Sequence, residues 1–193
     1  MSAVQMTIAS LAVALFLDGT FAICPFPFFQ VVFFTVKVGQ NKYQIAAALL
    51  PNKLESTYRE VFEKLKAECV ANGTPMDLIY VHHDCEMAII NAVRFVFSTA
   101  SIRLCRFHVV DAIRRHANSL GLRPLLRARG DLKKFYARIR QVFCFPPDLQ
   151  PRVWTLLLSF LGRDTKELPP VVAFLDYLVG YMLFLLFLQA EYN

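Results

Sequence analysis

The sequence predicts a mixed α/β domain in which a five-stranded sheet is flanked by helices and followed by a helical C-terminal portion. Three observations predict this class. The N-terminal part carries three apolar runs joined by short links, which is typical of an antiparallel meander. The middle part alternates short apolar runs with amphipathic segments, as in parallel strands joined by right-handed crossovers. Beyond Gly121 the pattern is helical throughout.

Five apolar runs bounded by turn-forming residues are the predicted strands. They span residues 7–17, 28–38, 43–50, 78–81 and 102–106. The first run is apolar without alternation, which predicts a strand buried on both faces. The sequence GQNK that follows the second run predicts a hairpin turn.

The predicted helices follow from apolar residues at helical spacing. They span residues 56–71, 86–97, 107–120, 131–143, 151–161 and 171–188. Ser56 and Thr57 are expected to cap the first helix, and Asn72-Gly73 is expected to end it. Residues 162–170 are predicted to form a polar linker.

Length and composition indicate one domain, or one domain with an appendage, at 193 residues. We predict an α/β core over residues 1–122, a basic helical segment over 123–162, and a linker with an apolar helix over 163–193. The five cysteines are an odd number without a CxxC pair, which favours a reducing compartment. No basic region precedes the apolar residues 8–17, so we expect no export signal.

The positive charge is concentrated in one segment of the chain. Residues 103–152 carry twelve Lys and Arg against three Asp, a net charge of +9. Such a segment beside an acidic site favours a phosphate-backbone ligand, although a solvated helical face is the alternative. The predicted DNA contacts are Arg114, Arg115, Arg127, Lys133, Lys134 and Arg138.

Two acidic residues, Asp18 and Asp84, each follow a predicted apolar strand. A carboxylate in this position either hydrogen-bonds its own turn or is paired, hydrated or bound to metal. Two of them in one small domain indicate a metal site of paired carboxylates. The adjacent His82 and His83 are expected to be packing residues, since hard Mg²⁺ prefers oxygen. Glu86 either touches the site or opens its helix, where the dipole favours an anion.

Cys105 and His108 have the spacing of half a zinc site. A structural zinc ion needs two more ligands, and the sequence shows no second close Cys/His pair, so we expect no zinc. His108 could instead lie near the acids or bind phosphate. The other interpretation is a buried cysteine beside a histidine that starts a helix.

Several motifs occur together in one order: LDGTF at residues 17–21, ALLPNK at 48–53, the helix with Tyr58, DCE at 84–86 and CRFH at 105–108. This set resembles the catalytic domain of a MULE-type (Mutator-like) transposase over residues 17–122. The resemblance implies an RNase H-like fold and DDE chemistry, with two metal ions, Mg²⁺ or Mn²⁺, held by three acids. It implies Asp18 as the first acid, Asp84 as the second, DNA as the partner and the nucleus as the location.

The sequence departs from this family at the third acid, a glutamate that lies far downstream beside a motif rich in Asn and Trp. Glu167 and Glu191 are the late glutamates, and neither lies in that context. We therefore expect a truncated transposase domain that is catalytically incomplete. One alternative is a non-enzymatic nucleic-acid-binding relic or domesticated transposase protein.

The other alternative is a membrane-tethered protein, because residues 171–188 form an apolar run near the lower length limit of a membrane span. Asp176 within this run would cost about 2.5–3.5 kcal/mol in a bilayer, so we expect no membrane partner. We instead expect a helix that packs loosely on the domain and promotes self-association.

Overall fold

The computed structural model describes residues 1–142, 145, 146 and 148–190, the last nine of them by backbone alone. The chain divides into two compact units, Met1–Cys105 and Arg106–Asn193. The first unit contains the sheet, and the described residues of the second are helical or in connecting turns.

Within the described residues, five strands form a single sheet in the order β3-β2-β1-β4-β5. The strands are β1 (Ala14–Thr20), β2 (Gln30–Val38), β3 (Asn41–Leu50), β4 (Tyr80–His83) and β5 (Ser101–Leu104). The pairs β1–β2 and β2–β3 are antiparallel, whereas β1–β4 and β4–β5 are parallel. The predicted mixed five-stranded sheet is confirmed.

One face of the sheet is the apolar core of the first unit. The helices of this unit are α1 (Ala3–Ser10), α2 (Glu55–Ala71) and α3 (Met87–Val96). The ring of Phe62 on α2 lies 5.9 Å from that of Phe34 on β2, and Phe34 is opposite Leu17 on β1. All three side chains are buried. We call the face that carries Leu17 and Phe34 the core face.

The predicted first strand is wrong in its N-terminal half, where the chain forms α1 instead. The reason is a capping box at Ser2 and Gln5. The Ser2 backbone N–H donates to Gln5 Oε1 at 2.7 Å, and the Gln5 N–H donates to Ser2 Oγ at 3.3 Å. These bonds satisfy donors that a helix start leaves unpaired, while Met6 and Ala9 bury one side of the helix.

The start of α2 also differs from the prediction, because neither Ser56 nor Thr57 caps the helix. Leu54 is the N-cap residue and makes no side-chain cap. The side chain of Asn52 fixes the approach: its Oδ1 accepts from the Leu54 N–H at 3.0 Å and from Thr57 Oγ1 at 2.7 Å. Asparagine favours this role because its amide oxygen readily bonds the backbone two residues on.

The second unit contains six helices in its described residues. They are α4 (Arg106–Ser119), α5 (Arg123–Ala128), α6 (Gly130–Ile139), α7 (Gln150–Leu158), α8 (Arg163–Lys166) and α9 (Pro169–Ala190). The four helices predicted beyond residue 106 are found with shifted ends, and residue 143, the end of the second of them, lies outside the described residues. Helix α5 was not predicted; Pro124 lies in its first turn, where proline is tolerated.

The predicted polar linker is wrong at α8. The chain is fixed ahead of this helix because the Gly162 N–H donates to Asp131 Oδ2 at 2.9 Å. The Thr165 side chain also hydrogen-bonds Asp131, and these bonds hold the pKa of the Asp131 carboxyl below its usual value. A short polar stretch thus becomes ordered through a partner on α6.

The predicted C-terminal helix is confirmed as α9, which continues through Asp176 and Gly180. Val171, Phe174 and Leu178 are fully buried on one side of it, so the expected loose packing is wrong for its described side chains. In the described part of the chain, no helix combines the length and apolarity that crossing a membrane requires.

Candidate active site

Asp18 lies on β1, and Asp84 directly follows the neighbouring parallel strand β4. The register pairs Ala14 with Tyr80 and Phe16 with His82, and two further steps along each strand bring Asp18 level with Asp84. Asp84 directly follows β4, as predicted. Asp18 does not end β1, which continues to Thr20 through its pairing with β2.

The two aspartates project from the sheet face opposite the core face. The rings of Phe16 and His82 stack at 4.4 Å, which places them on one face. Because side chains alternate along a strand, Asp18 lies on that face. The alternation of β4, continued by one residue, assigns Asp84 to the same face. We call it the open face. Asp18 is exposed and Asp84 is half-buried, so solvent reaches both.

The two carboxylates differ in their partners. Asp84 Oδ1 accepts a hydrogen bond from the Glu86 N–H at 3.3 Å, so this side chain helps to shape its own turn. Within the part of the chain that the structure describes, no hydrogen bond or ion pair engages the Asp18 side chain. Asp18 therefore has a carboxylate available to an external ligand.

Glu86 is the N-cap residue of α3, and other protein groups hold both of its carboxylate oxygens. Lys53 Nζ donates to Oε2 at 2.6 Å, and the Tyr58 hydroxyl donates to Oε1 at 3.1 Å. Lys53 Nζ also lies 4.8 Å from the centre of the Phe21 ring. Glu86 thus ties the turn after Asp84 to the segment between β3 and α2.

A buried hydrogen bond extends this arrangement into β2. Gln30 Nε2 donates to the Tyr58 hydroxyl oxygen, and both side chains are buried. Burial raises the pKa of Tyr58 above its usual value, and the charges of Glu86 and Asp84 raise it further. The phenol therefore stays protonated and donates to Glu86. We call Gln30, Tyr58, Glu86 and Lys53 the Glu86 network.

Gly19, next to the first aspartate, packs closely against this network. A Cβ atom at Gly19 would lie 3.2 Å from Gln30 Oε1, which is closer than most Cβ contacts allow. The glycine after Asp18 therefore permits the approach of β1 to the Gln30 side chain.

His82 and His83 both have pKa values lowered to about 4. Burial is the main cause for each, and for His82 the nearby Arg103 and Lys42 add to it. His83 is fully buried and its Nδ1 bonds the Asp84 carbonyl oxygen, while its Nε2 has no hydrogen-bond partner among the described residues. Both imidazoles are neutral at pH 7.

Cys105 and His108 lie in different units of the chain. Cys105 is half-buried after β5, and its N–H donates to the His83 carbonyl at 2.7 Å. His108 lies in the first turn of α4 and is half-buried. Among the described residues, no group of three or more His, Cys, Asp and Glu side chains is arranged to hold a metal ion.

The predicted DNA contacts are distributed over three helices of the second unit. Arg114 and Arg115 both pair with Asp111, the latter at 3.1 Å, and the Arg114 bond chiefly lowers the pKa of Asp111. Arg138 lies over the ring of Phe160 at 4.9 Å. The remaining three, all exposed on α5 or α6, are Arg127, Lys133 and Lys134.

Sequence reasoning missed Gln30, Lys53 and the hydroxyl of Tyr58 as parts of the site. Two signals were present: a glutamine opens the apolar strand β2, and Lys53 ends the ALLPNK motif. A polar side chain at the start of a buried strand must find a partner, because an unpaired buried polar group is costly.

Comparison with known proteins connects this geometry to a family. The family model of the MULE transposase domain matches residues 14–112, which include both aspartates and all of the strands described above. No curated protein matches the chain. Because the match covers half of the sequence, the chain belongs to the MULE transposase domain family.

Proposed function

We propose that the protein is a DNA transposase domain in which Asp18 and Asp84 hold Mg²⁺ or Mn²⁺ and act on phosphodiester bonds of DNA. Family membership supports a transposase-type function and DNA as the partner. The observation that supports the catalytic assignment is the parallel register of β1 and β4, which, continued by two residues, brings Asp18 level with Asp84.

The residues at this point of the sheet fit a hard divalent cation. Mg²⁺ prefers carboxylate oxygens and keeps several of its waters, so a few acids suffice to hold it. The exposed Asp18 carboxylate and the half-buried Asp84 carboxylate supply such oxygens. Bound metal ions would stabilise the attacking and leaving oxygens of an in-line displacement.

The protein's own contribution is to orient Asp84. The Glu86 N–H donates to Asp84 Oδ1, and Lys53 and Tyr58 hold the Glu86 carboxylate. Glu86 is therefore a positioning residue in this proposal, because its two oxygens are already engaged. Hydrogen bonds from residues that do not bind the metal themselves fix the direction in which a metal-binding oxygen points.

The third acid of the DDE set remains without a candidate, since Glu167 and Glu191 lie outside the family context. We therefore propose that this 193-residue chain nicks DNA weakly and does not complete strand transfer. We also propose a nuclear location, where the DNA substrate resides.

A non-enzymatic nucleic-acid-binding protein is the second candidate function. It is favoured by the exposed Arg127, Lys133 and Lys134 on α5 and α6, which could contact phosphates without any metal. The two functions differ in their metal requirement, because phosphate contacts of this kind need no divalent cation.

The test is the nicking of supercoiled plasmid in the presence and absence of Mn²⁺. We expect Asp18→Asn and Asp84→Asn each to reduce nicking at least tenfold. Asp77→Asn is the matched control, since Asp77 is exposed and lies before β4. Nicking that is equal in wild type and Asp18→Asn would contradict the catalytic assignment, and metal-independent DNA binding without nicking would favour the second function.

A further inference from the structure

Three cations lie on the open face of the sheet, level with residues two to four positions before the aspartates along β1 and β4. The register pairs Lys37 on β2 with Lys42 on β3, and His82 on β4 with Arg103 on β5. Lys37 also pairs with Ala14, two residues before Phe16 and therefore on the same face. We call Lys37, Lys42 and Arg103 the basic face.

Aromatic rings hold two of these cations in place. Lys42 Nζ lies 4.1 Å from the centre of the Phe16 ring, and the Arg103 guanidinium carbon lies 5.0 Å from that of Tyr80. Cation–π contact of this kind orders a long side chain. It leaves the N–H donors free to bind an anion, and both side chains are exposed.

The basic face has no counter-charge in the described part of the chain, where no carboxylate forms an ion pair with Lys37, Lys42 or Arg103. Two other cations of the first unit form ion pairs, Lys53 with Glu86 and Arg59 with Glu55. Uncompensated like charges attract an anionic ligand.

Strand register and ring contacts connect the three cations. His82, whose register partner is Arg103, stacks on the Phe16 ring that Lys42 contacts, and Lys42 pairs with Lys37. The positive charge of the face comes from the two lysines and the arginine.

We propose that the basic face binds the sugar–phosphate backbone of the DNA on which Asp18 and Asp84 act. The inference rests on the proposed function, because it concerns the substrate of that site. Cations on the same face as the two carboxylates would attract the anionic backbone toward the site. Phe16 and His82 lie two residues before the acids, roughly 7 Å along the strands.

The same geometry favours phosphates over bases as the bound groups. The rings of Phe16 and His82 already stack on each other at an interplanar angle of 10°. Lysine and arginine contacts to phosphate position a duplex without reading its sequence. The face should therefore bind DNA with little sequence preference.

The test compares two double variants of the full chain with the same change in charge. Lys37→Gln with Lys42→Gln alters the basic face. Lys64→Gln with Lys66→Gln alters α2, which packs on the core face. Binding to a fluorescent DNA duplex is measured by anisotropy over a range of salt, and circular dichroism confirms that each variant is folded.

We expect the basic-face variant to bind at least tenfold more weakly at low salt. Its slope of log K against log salt should fall by about 0.9 for each lost phosphate contact. Arg103→Gln should remove about one further contact. The α2 variant should keep the wild-type slope, and Lys37→Arg with Lys42→Arg should restore it.

Equal losses in the two double variants would overturn the proposal, as would an unchanged slope or a loss seen with RNA but not with DNA. Mn²⁺ binding separates this result from the proposed function. If Asp18→Asn abolishes Mn²⁺ binding but the basic-face variant keeps the wild-type salt dependence of DNA binding, this inference alone fails. If the basic-face variant has a smaller salt dependence of DNA binding but Asp18→Asn binds Mn²⁺ as tightly as wild type, the proposed function alone fails.

Discussion

The two faces of the sheet differ in what their residues do, although the same strands supply both. The core face carries Leu17, Phe34 and the fully buried His83. The open face carries Asp18, Asp84 and the basic face. Because side chains alternate along a strand, adjacent residues serve stability and chemistry separately.

The division is sharpest on β4, where two consecutive histidines, both kept neutral mainly by burial, lie on opposite faces. His83 is buried in the core and bonds the Asp84 carbonyl oxygen. His82 is half-buried, stacks on Phe16 and lies near the basic face. The same residue type thus packs in the core on one face and lies among cations on the other.

The largest expected effect is the loss of core packing in Phe62→Ala. Removing this fully buried ring should lower the free energy of unfolding by about 3–5 kcal/mol. The loss has two parts that add, the hydrophobic transfer free energy of the removed atoms and the cost of the cavity left behind. Phe16→Ala is the matched control on the open face, where the ring is half-buried, and should lose less than half as much. Urea unfolding followed by circular dichroism measures both, and equal losses would contradict the division of the faces.

The next effect is a pH dependence that comes from the two histidines. Their folded pKa values are about 4, against 6.5 in the unfolded chain. The unfolded state therefore binds more protons between these values, so stability falls as the pH is lowered from about 6.5 to about 4. Below pH 4 both states are protonated, and this loss should level off.

Variants of the two histidines isolate this contribution from that of the carboxyl groups. The loss should be on the order of 3 kcal/mol for the fully buried His83 and less for the half-buried His82, which solvent screens. Urea unfolding at several pH values should show a shallower dependence in His83→Gln and in His82→Gln than in wild type. Slopes identical to wild type in both variants would show that neither imidazole titrates as the structure indicates.

A smaller effect is expected for Tyr58→Phe in the Glu86 network. The change leaves Gln30 Nε2 and Glu86 Oε1 without their shared partner, which should cost about 1–2 kcal/mol. It should also weaken Mn²⁺ binding several-fold, because Glu86 positions Asp84. Tyr43→Phe is the control, since Tyr43 is exposed on β3.

Calorimetry of Mn²⁺ binding separates these two consequences of Tyr58→Phe. A variant that is less stable but binds Mn²⁺ as tightly as wild type would show that the network supports the fold alone. Weaker Mn²⁺ binding in Tyr43→Phe as well would show that the effect is not specific to the network.

The smallest effect on stability is expected for Lys42→Gln. Its cation–π contact with Phe16 is exposed, so the loss should stay below about 1 kcal/mol. Thermal unfolding measures this directly. A loss as large as that of Phe62→Ala would mean that Lys42 supports the fold, and the open face would then not be free for DNA.

The strands and the adjacency of Asp18 and Asp84 could be predicted because apolar runs and short links specify them locally. Helix α1 was missed because its residues continue an apolar run, although Ser2 and Gln5 carry the spacing of a capping box. The ion pairs of Arg114 and Arg115 with Asp111 could also have been predicted from the sequence, because residues three and four apart are neighbours on a helix surface.

The Glu86 network and the basic face could not be predicted from the sequence alone. Glu86 lies 28 residues from Tyr58 and 33 from Lys53, so only the fold brings them together. The face on which Lys42 lies depends on where the hairpin turns, because β3 begins at Asn41, inside the predicted turn, and pairs Lys42 with Lys37. A slip of one residue would move the side chain to the other face.

The central claim is that Asp18 and Asp84 hold one metal site together. The most direct measurement is the broadening of backbone amide NMR signals as Mn²⁺ is added to the full chain. The signals of Asp18, Gly19, Asp84 and Cys85 should broaden first and together, and Asp18→Asn should remove the effect at both strands. Broadening that reaches only one of the two strands, or that begins at Asp164 and Glu167 and spares both, would contradict the claim.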